Sequence, residues 1–149
     1  MNETVTRTQR RATGNELSAA ELYRVLRLRV DVFVVEQKCP YPELDGRDLE
    51  PSTVHLWCET EDDEVLAYVR VLDEPDGTAR IGRVVTAARA RGQGLSRTLM
   101  EAAIAEIGDQ VSVLDAQTQA ADFYASLGYR VTGDEFVEDD IPHVPMRRP

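Results

Sequence analysis

Apolar positions along this chain change period several times, and each change marks an element. Leu22, Val25, Leu26, Val32 and Phe33 recur near helical spacing, which predicts a helix running to about Val35. Its start is written as a capping box, Ser18 with Glu21, and Leu17 and Leu22 are placed as a hydrophobic staple around it. Pro40, Pro42 and Gly46 break the next stretch into a loop or short helical turns. His55–Glu59 and Val65–Leu72 read as strands flanking the polar stretch TEDD, which suits a hairpin turn. Pro75-Asp76-Gly77 is a second turn, and Arg80–Thr86 comes after it as a strand with β-branched content. From about Gly94 the period becomes helical again: Leu95, Leu99, Ala102, Ala103 and Ile107 share a face, and Gly108 sits where a helix would stop. Val111–Leu114 is a short apolar strand, Ala120–Leu127 a helix ended by Gly128, and Tyr129–Val131 leads into a final extended segment. With a short first strand at Val5–Arg11, the order is β-α-β-β-β-α-β-α-β, a mixed α/β (α+β) domain around one sheet.

Composition narrows the class. The 149 residues carry no internal repeat or low-complexity linker, so one domain over 1–149 is expected, and 42% hydrophobic content suits a globular chain. A formal charge of −10 argues against general nucleic-acid binding, which needs a basic face. No apolar run is long enough to span a bilayer, and MNETVTRTQRR lacks the apolar stretch of a secretory signal. Cys39 and Cys58 are too few for a disulfide framework or a zinc site. A cytoplasmic protein without a metal is therefore the expectation.

Charge is unevenly spread. Against 27 acidic and 17 basic residues overall, the window Gly77–Met100 holds Arg80, Arg83, Arg89, Arg91 and Arg97 and not one acid. Within it, RARGQGLSRTL places a glycine turn between a strand and a helix. Such a turn gathers free backbone N–H groups and the positive end of a helix dipole, and Gly92 and Gly94 let a ligand approach closely. That combination suits a phosphate-bearing cofactor. The alternative is a set of surface bases paired with acids elsewhere. A nucleotide-binding G-x-x-x-x-G-K-[ST] string is absent. A dinucleotide fingerprint would use Gly92, Gly94 and Asp115, but Arg97 stands where its third glycine belongs.

Arg89-Ala90-Arg91-Gly92-Gln93-Gly94 resembles the [QR]-x-x-G-x-[GA] acyl-CoA-binding motif of GNAT-type N-acetyltransferases. IGRVV precedes it, and QTQAADFYASLGYRVTG downstream resembles the family's A-x-x-F-Y-x-x-L-G-Y/F signature. LYRVLRLRVDVFVVEQKCPYPELDGRDL and the tail EDDIPHVPM look like the ElaA-like branch, so the resemblance runs from about Leu22 to Met146. It implies a mixed, mostly antiparallel sheet with helices on both faces, in which strands Arg80–Thr86 and Val111–Ala116 splay apart to admit acetyl-CoA. The activity it implies is direct acyl transfer to an amine, on a small molecule or a peptide, in a protein that could by family habit form a homodimer.

The same resemblance implies site residues. Arg89, Arg91, Gly92, Gln93, Gly94, Leu95, Ser96 and Arg97 would hold the cofactor's diphosphate, and Val84 and Val85 would lend main-chain groups to its pantetheine arm. Tyr124 is the candidate general acid for the departing thiolate. A base for the attacking amine is sought among Glu36, His143 and Asp115, with Glu36 and His143 preferred. A tyrosine in a helix is otherwise a packing residue, Glu36 otherwise a helix-end acid, and His143 otherwise an exposed loop imidazole. Glu138-Asp139-Asp140, otherwise a solvated face, could attract an amine substrate, and the loop Cys39–Asp48 could border the acceptor site; His55 receives no role. Two alternatives stay open. One is a non-catalytic CoA-binding sensor. The other is a homoserine-lactone-synthase-like enzyme, whose R-x-x-V-F element fits Arg29–Phe33.

Overall fold

The structure, a computed structural model, describes residues 7–149. Strand β1 (Arg7–Thr13) leads into helix α1 (Ala19–Arg29), which continues as a π-helical turn over Val30–Glu36. Strands β2 (Val54–Thr60), β3 (Val65–Asp73) and β4 (Ala79–Thr86) come next, then a 3₁₀ turn at Ala88–Ala90 and helix α2 (Leu95–Ile107). Strand β5 (Ser112–Gln117), a 3₁₀ turn at Thr118–Ala120, helix α3 (Ala121–Ala125) and strands β6 (Arg130–Val131), β7 (Phe136–Glu138) and β8 (Ile141–Arg148) complete the chain. Residues 5 and 6 of the expected first strand lie outside the described residues; from Arg7 onward that strand is present and runs on to Thr13.

Among the described residues one sheet carries all eight strands in the order β1-β2-β3-β4-β5-β8-β6, with β7 also paired to β8. Every pairing is antiparallel except β4 with β5. Alternation along β2 and β3 sends neighbours to opposite faces. Leu56, Val69 and Val71 pack with Leu99, Met100 and Ala103 of α2, whereas Trp57 and Tyr68 pack with Val25, Leu28 and Val32 of the first helical segment. Helices thus cover both faces, and β3 is buried from Val65 to Leu72.

The capping box is formed: Glu21 N–H donates to Ser18 Oγ at 3.1 Å and Ser18 N–H to the Glu21 carboxylate at 2.9 Å. Leu17 and Leu22 pack against the α1-side core. The first helix does reach Glu36, but its last turn widens, Gln37 N–H bonding Val32 O at 3.0 Å. The Ala120–Leu127 helix is shorter than its apolar pattern, α-helical only over Ala121–Ala125. The final extended segment is a hairpin, β7–β8, turned by Asp139 (φ 51°) and Asp140 (φ 63°). Aspartate tolerates the left-handed region by bonding its own backbone, so this turn carries no glycine to announce it.

Two irregularities in β4 set up the site. It pairs with β5 only at Ala79↔Ser112 and Arg80↔Val113, after which the strands diverge. Against β3 the register passes from Arg70↔Gly82 to Tyr68↔Val85, so Arg83 and Val84 stand opposite the single residue Val69. This is a β-bulge, and Arg83 occupies it at φ 55°. A side chain in that region is strained by on the order of 1–3 kcal/mol.

Candidate active site

The divergence of β4 from β5 opens a cleft of about 1220 Å³, larger than a pocket for one drug-sized ligand. The glycine turn lines it. Gly92 (φ 80°) and Gly94 (φ 76°) both take the left-handed conformation, and a Cβ added to either would meet open space. Backbone geometry, not crowding, is what requires glycine there. Gly94 caps α2 without any side-chain bond, and the first intrahelical amide bond runs from Thr98 to Gly94 O at 3.1 Å. The amides of Leu95, Ser96 and Arg97 therefore face the turn with no acceptor from their own helix. Ser96 Oγ bonds Thr86 Oγ1, tying the helix start to the end of β4.

The arginines are less free than the acid-free window suggested. Arg91 pairs with Glu36 at 2.8 Å and donates to Thr86 O at 3.2 Å; Arg89 pairs with Glu64 at 2.6 Å; Arg83 binds Glu43 at 2.8 Å; Arg80 reaches Asp115 at 3.4 Å. Chain folding brings acids to a stretch that contains none. Arg97 differs, donating to Ser126 Oγ at 2.8 Å with its guanidinium 5.3 Å from the Phe123 ring centroid.

Most of the residues expected at the site line this one cleft: Val84, Val85, Arg91, Gly92, Gly94, Leu95, Ser96 and Arg97, with Glu36, Tyr124 and His143. Arg89 and Gln93 are not among the cleft's lining residues; the Gln93 side chain instead accepts a bond from Arg7 on β1. Tyr124 is buried in α3, edge-on to Tyr129 at 6.2 Å and to Phe123 at 5.1 Å. Burial, then the neighbouring Tyr129, pushes its phenol up to about 12.

His143 is not on an exposed loop but half-buried within β8, opposite Gln117, its ring stacked 5.7 Å from Phe136. Pro142 and Pro145 around it gave the sequence a loop-like look. Its Nδ1 lies 2.7 Å from Ile141 O; a carbonyl only accepts, so Nδ1 carries the proton and a neutral ring keeps its lone pair on Nε2. Asp115 lines the cleft from β5 and pairs with Arg80. The dinucleotide reading fails on topology, because this largely antiparallel sheet is not the doubly wound parallel one it needs.

Sequence reasoning missed a charged cluster beside the cleft, of which Asp45, Arg70 and Arg83 reach the lining. Arg29 (0% exposed) binds Glu43 at 2.6 Å and Asp48 at 2.6 Å; Arg70 binds Asp45 and, at 3.1 Å, Asp48. His55, given no role, is wholly buried beside it: Nε2 donates to Asp48 O at 2.8 Å and Nδ1 accepts from Tyr68 O–H at 2.6 Å. A signal existed in the arginine at position 29, on the same helical stripe as Val25 and Val32.

This cluster makes stability pH-dependent. Desolvation, with Arg29 and Arg70 nearby, lowers the His55 pKa below its ordinary 6.5. The unfolded chain then binds a proton the native state refuses, so stability is full above about 6.5 and falls as pH drops towards the depressed native value. The thermal midpoint is expected to decline between about pH 6.5 and 5, with a slope limited to about 1.4 kcal/mol per unit for one proton. His55→Gln should flatten that slope; melts from pH 5 to 8 check it.

The sequence model of the acetyltransferase (GNAT) domain matches residues 27–148, and the chain belongs to that family. Its place within the family is the ElaA-like branch. A crystal structure of an acyl-CoA N-acyltransferase from Pseudomonas aeruginosa is 42% identical and superposes with a TM-score of 0.92, covering 97% of this chain and 100% of that one. ElaA of Escherichia coli is 35% identical by structure, with a TM-score of 0.88 over 97% of this chain and 100% of that chain. A UPF0039 protein of Mycobacterium tuberculosis is 51% identical, covering 97% of this chain and 95% of the relative. Among the described residues no group of His, Cys, Asp or Glu is arranged to hold a metal, and no helix is long and apolar enough to cross a membrane.

Proposed function

We propose that the protein transfers an acyl group, acetyl by default, from acyl-CoA directly to a primary amine. The observation that carries this is the parting of β4 from β5 after Arg80, opening a cleft onto the uncapped start of α2. An unpaired strand edge offers main-chain groups to a pantetheine arm, and the free amides with Arg91 and Arg97 suit a diphosphate. The residues present fit the cofactor.

In the reaction, the amine nitrogen bonds to the thioester carbonyl carbon and the C–S bond breaks. A main-chain N–H at Val84–Val85 stabilises the developing oxyanion. Tyr124 gives its proton to the departing thiolate, and the ammonium proton passes to Glu36 or to Nε2 of His143, directly or through water. Ser96 has no base beside it and forms no acyl intermediate in this scheme. Free-thiol release from acetyl-CoA across a broad amine panel tests the reading. Binding of acetyl-CoA without thiol release from any acceptor would instead support the sensor alternative.

Glu36 has a distinctive expected signature. It competes with the cofactor for Arg91, across an ion pair half-exposed on both sides. Glu36→Gln should tighten acyl-CoA binding, by up to about fivefold if the pair is worth 1 kcal/mol, while lowering turnover. Calorimetry and steady-state kinetics on one preparation read both.

A further inference from the structure

Glu43 is seated in an unusual clamp. Its carboxylate Oε2 accepts from Arg29 Nε at 2.6 Å and from Arg83 Nε at 2.8 Å. Its main-chain carbonyl accepts from the Nη2 of the same two arginines, at 3.3 and 3.0 Å. Its other carboxylate oxygen accepts from the Tyr41 hydroxyl, whose ring lies 5.8 Å from the Arg83 guanidinium. Glu43 is 3% exposed, and Arg29, Arg70 and Arg83 are matched by Glu43, Asp45 and Asp48. The cluster's charge is therefore balanced, one guanidinium to one carboxylate, with Arg83 and Asp45 at its more exposed edge.

One arm of this clamp is the bulge residue of β4. Arg83 holds φ 55°, although Gly82 beside it could take a left-handed conformation without strain and does not. The chain keeps a large side chain at the strained position, and that side chain is the one Glu43 grips. Strain of this kind persists where surroundings over-determine it.

We propose that Glu43, through Arg83, is a positioning residue that fixes the β4 bulge so that its main chain meets the acyl carbonyl in the cleft. This rests on the acyltransferase reading. Glu43 is not among the cleft's lining residues, and it acts from the loop 39–50 upon a strand edge that does line it. The loop, the end of α1 and the bulge are thereby locked as one unit beside the cleft.

The test uses acetyl-CoA labelled with ¹³C at the thioester carbonyl, bound to the whole protein, with calorimetry for affinity. Polarisation by a main-chain N–H moves that resonance downfield in the wild type. Glu43→Gln and Arg83→Ala should keep the Kd within about threefold, lose most of that shift, and lower kcat at least tenfold with KM for acyl-CoA unchanged. Arg83→Gly should retain clearly more of both than Arg83→Ala, since glycine adopts φ 55° without the strain a Cβ brings; a purely side-chain role predicts equal losses. The double variant Glu43→Gln/Arg83→Ala should be no worse than the poorer single one. Should Glu43→Gln fail to fold, the Arg83 pair decides alone. Equal losses for alanine and glycine, or a wild-type-like carbonyl resonance in Arg83→Ala, would overturn the proposal. The resonance needs only bound acetyl-CoA, so a protein that binds it yet never turns over refutes the catalytic reading separately.

Discussion

Tyr124→Phe is expected to lower kcat about 10²-fold or more, the usual range for loss of a positioned general acid, with acyl-CoA affinity nearly unchanged. The phenol's raised pKa suits a proton donor. At about 12 it is protonated throughout the neutral range, so it can give up a proton but has no phenolate with which to take one. Acting as a base at pH 7 would require a phenolate disfavoured by roughly 7 kcal/mol. Donating to a thiolate whose thiol titrates near the cysteine value of about 8.5 is uphill by only roughly 5 kcal/mol. That fits within the barrier of roughly 16 kcal/mol for a turnover of about ten per second. The ring's edge-on contacts with Phe123 and Tyr129 survive the substitution, so the fold should be little changed. Because burial moves the phenol up, its deprotonation places no alkaline limb on the wild-type profile below about pH 11. A variant with more than half the wild-type kcat would remove Tyr124 from the mechanism.

Why was this residue, and the glycine turn, readable from sequence when the Glu43 clamp was not? The turn and its helix are local. Gly92, Gly94 and the apolar stripe from Leu95 to Ile107 fall within sixteen residues, and their φ values and free amides come from chain geometry alone. Tyr124 came with a neighbouring signature. Glu43, by contrast, gains meaning only from Arg29 and Arg83, fourteen and forty positions away, so no spacing rule joins them. The same non-locality is why a window without acids is not a neighbourhood without them: Glu36 and Glu64 reach it from other elements.

The β7–β8 hairpin was hidden for another reason. Its turn uses two aspartates in place of glycine, and β8 carries Pro142 and Pro145, which argue against a strand inside a sheet. Pro142 pairs only with the short strand β7, near the sheet's end. There a missing N–H is tolerated, and His143 enters the cleft wall from a strand.

Gly94→Glu should abolish measurable acyl-CoA binding, weakening it at least 100-fold, or about 2.7 kcal/mol. Two effects combine. A Cβ at φ 76° strains the turn by on the order of 1–2 kcal/mol, displacing the amides that would receive the diphosphate. A carboxylate at the start of α2 then competes for the same N–H groups and the same dipole, and repels the ligand. Strain alone is separable from ligand loss by Gly108→Ala, at the opposite end of the same helix with φ 64°. That substitution should lower the thermal midpoint without altering affinity. Calorimetry with acetyl-CoA on both variants checks the pair, alongside the midpoint rise that a ligand gives the wild type by binding only its native state. Full affinity in Gly94→Glu would place the diphosphate away from the turn, and the parted strands would then need another occupant.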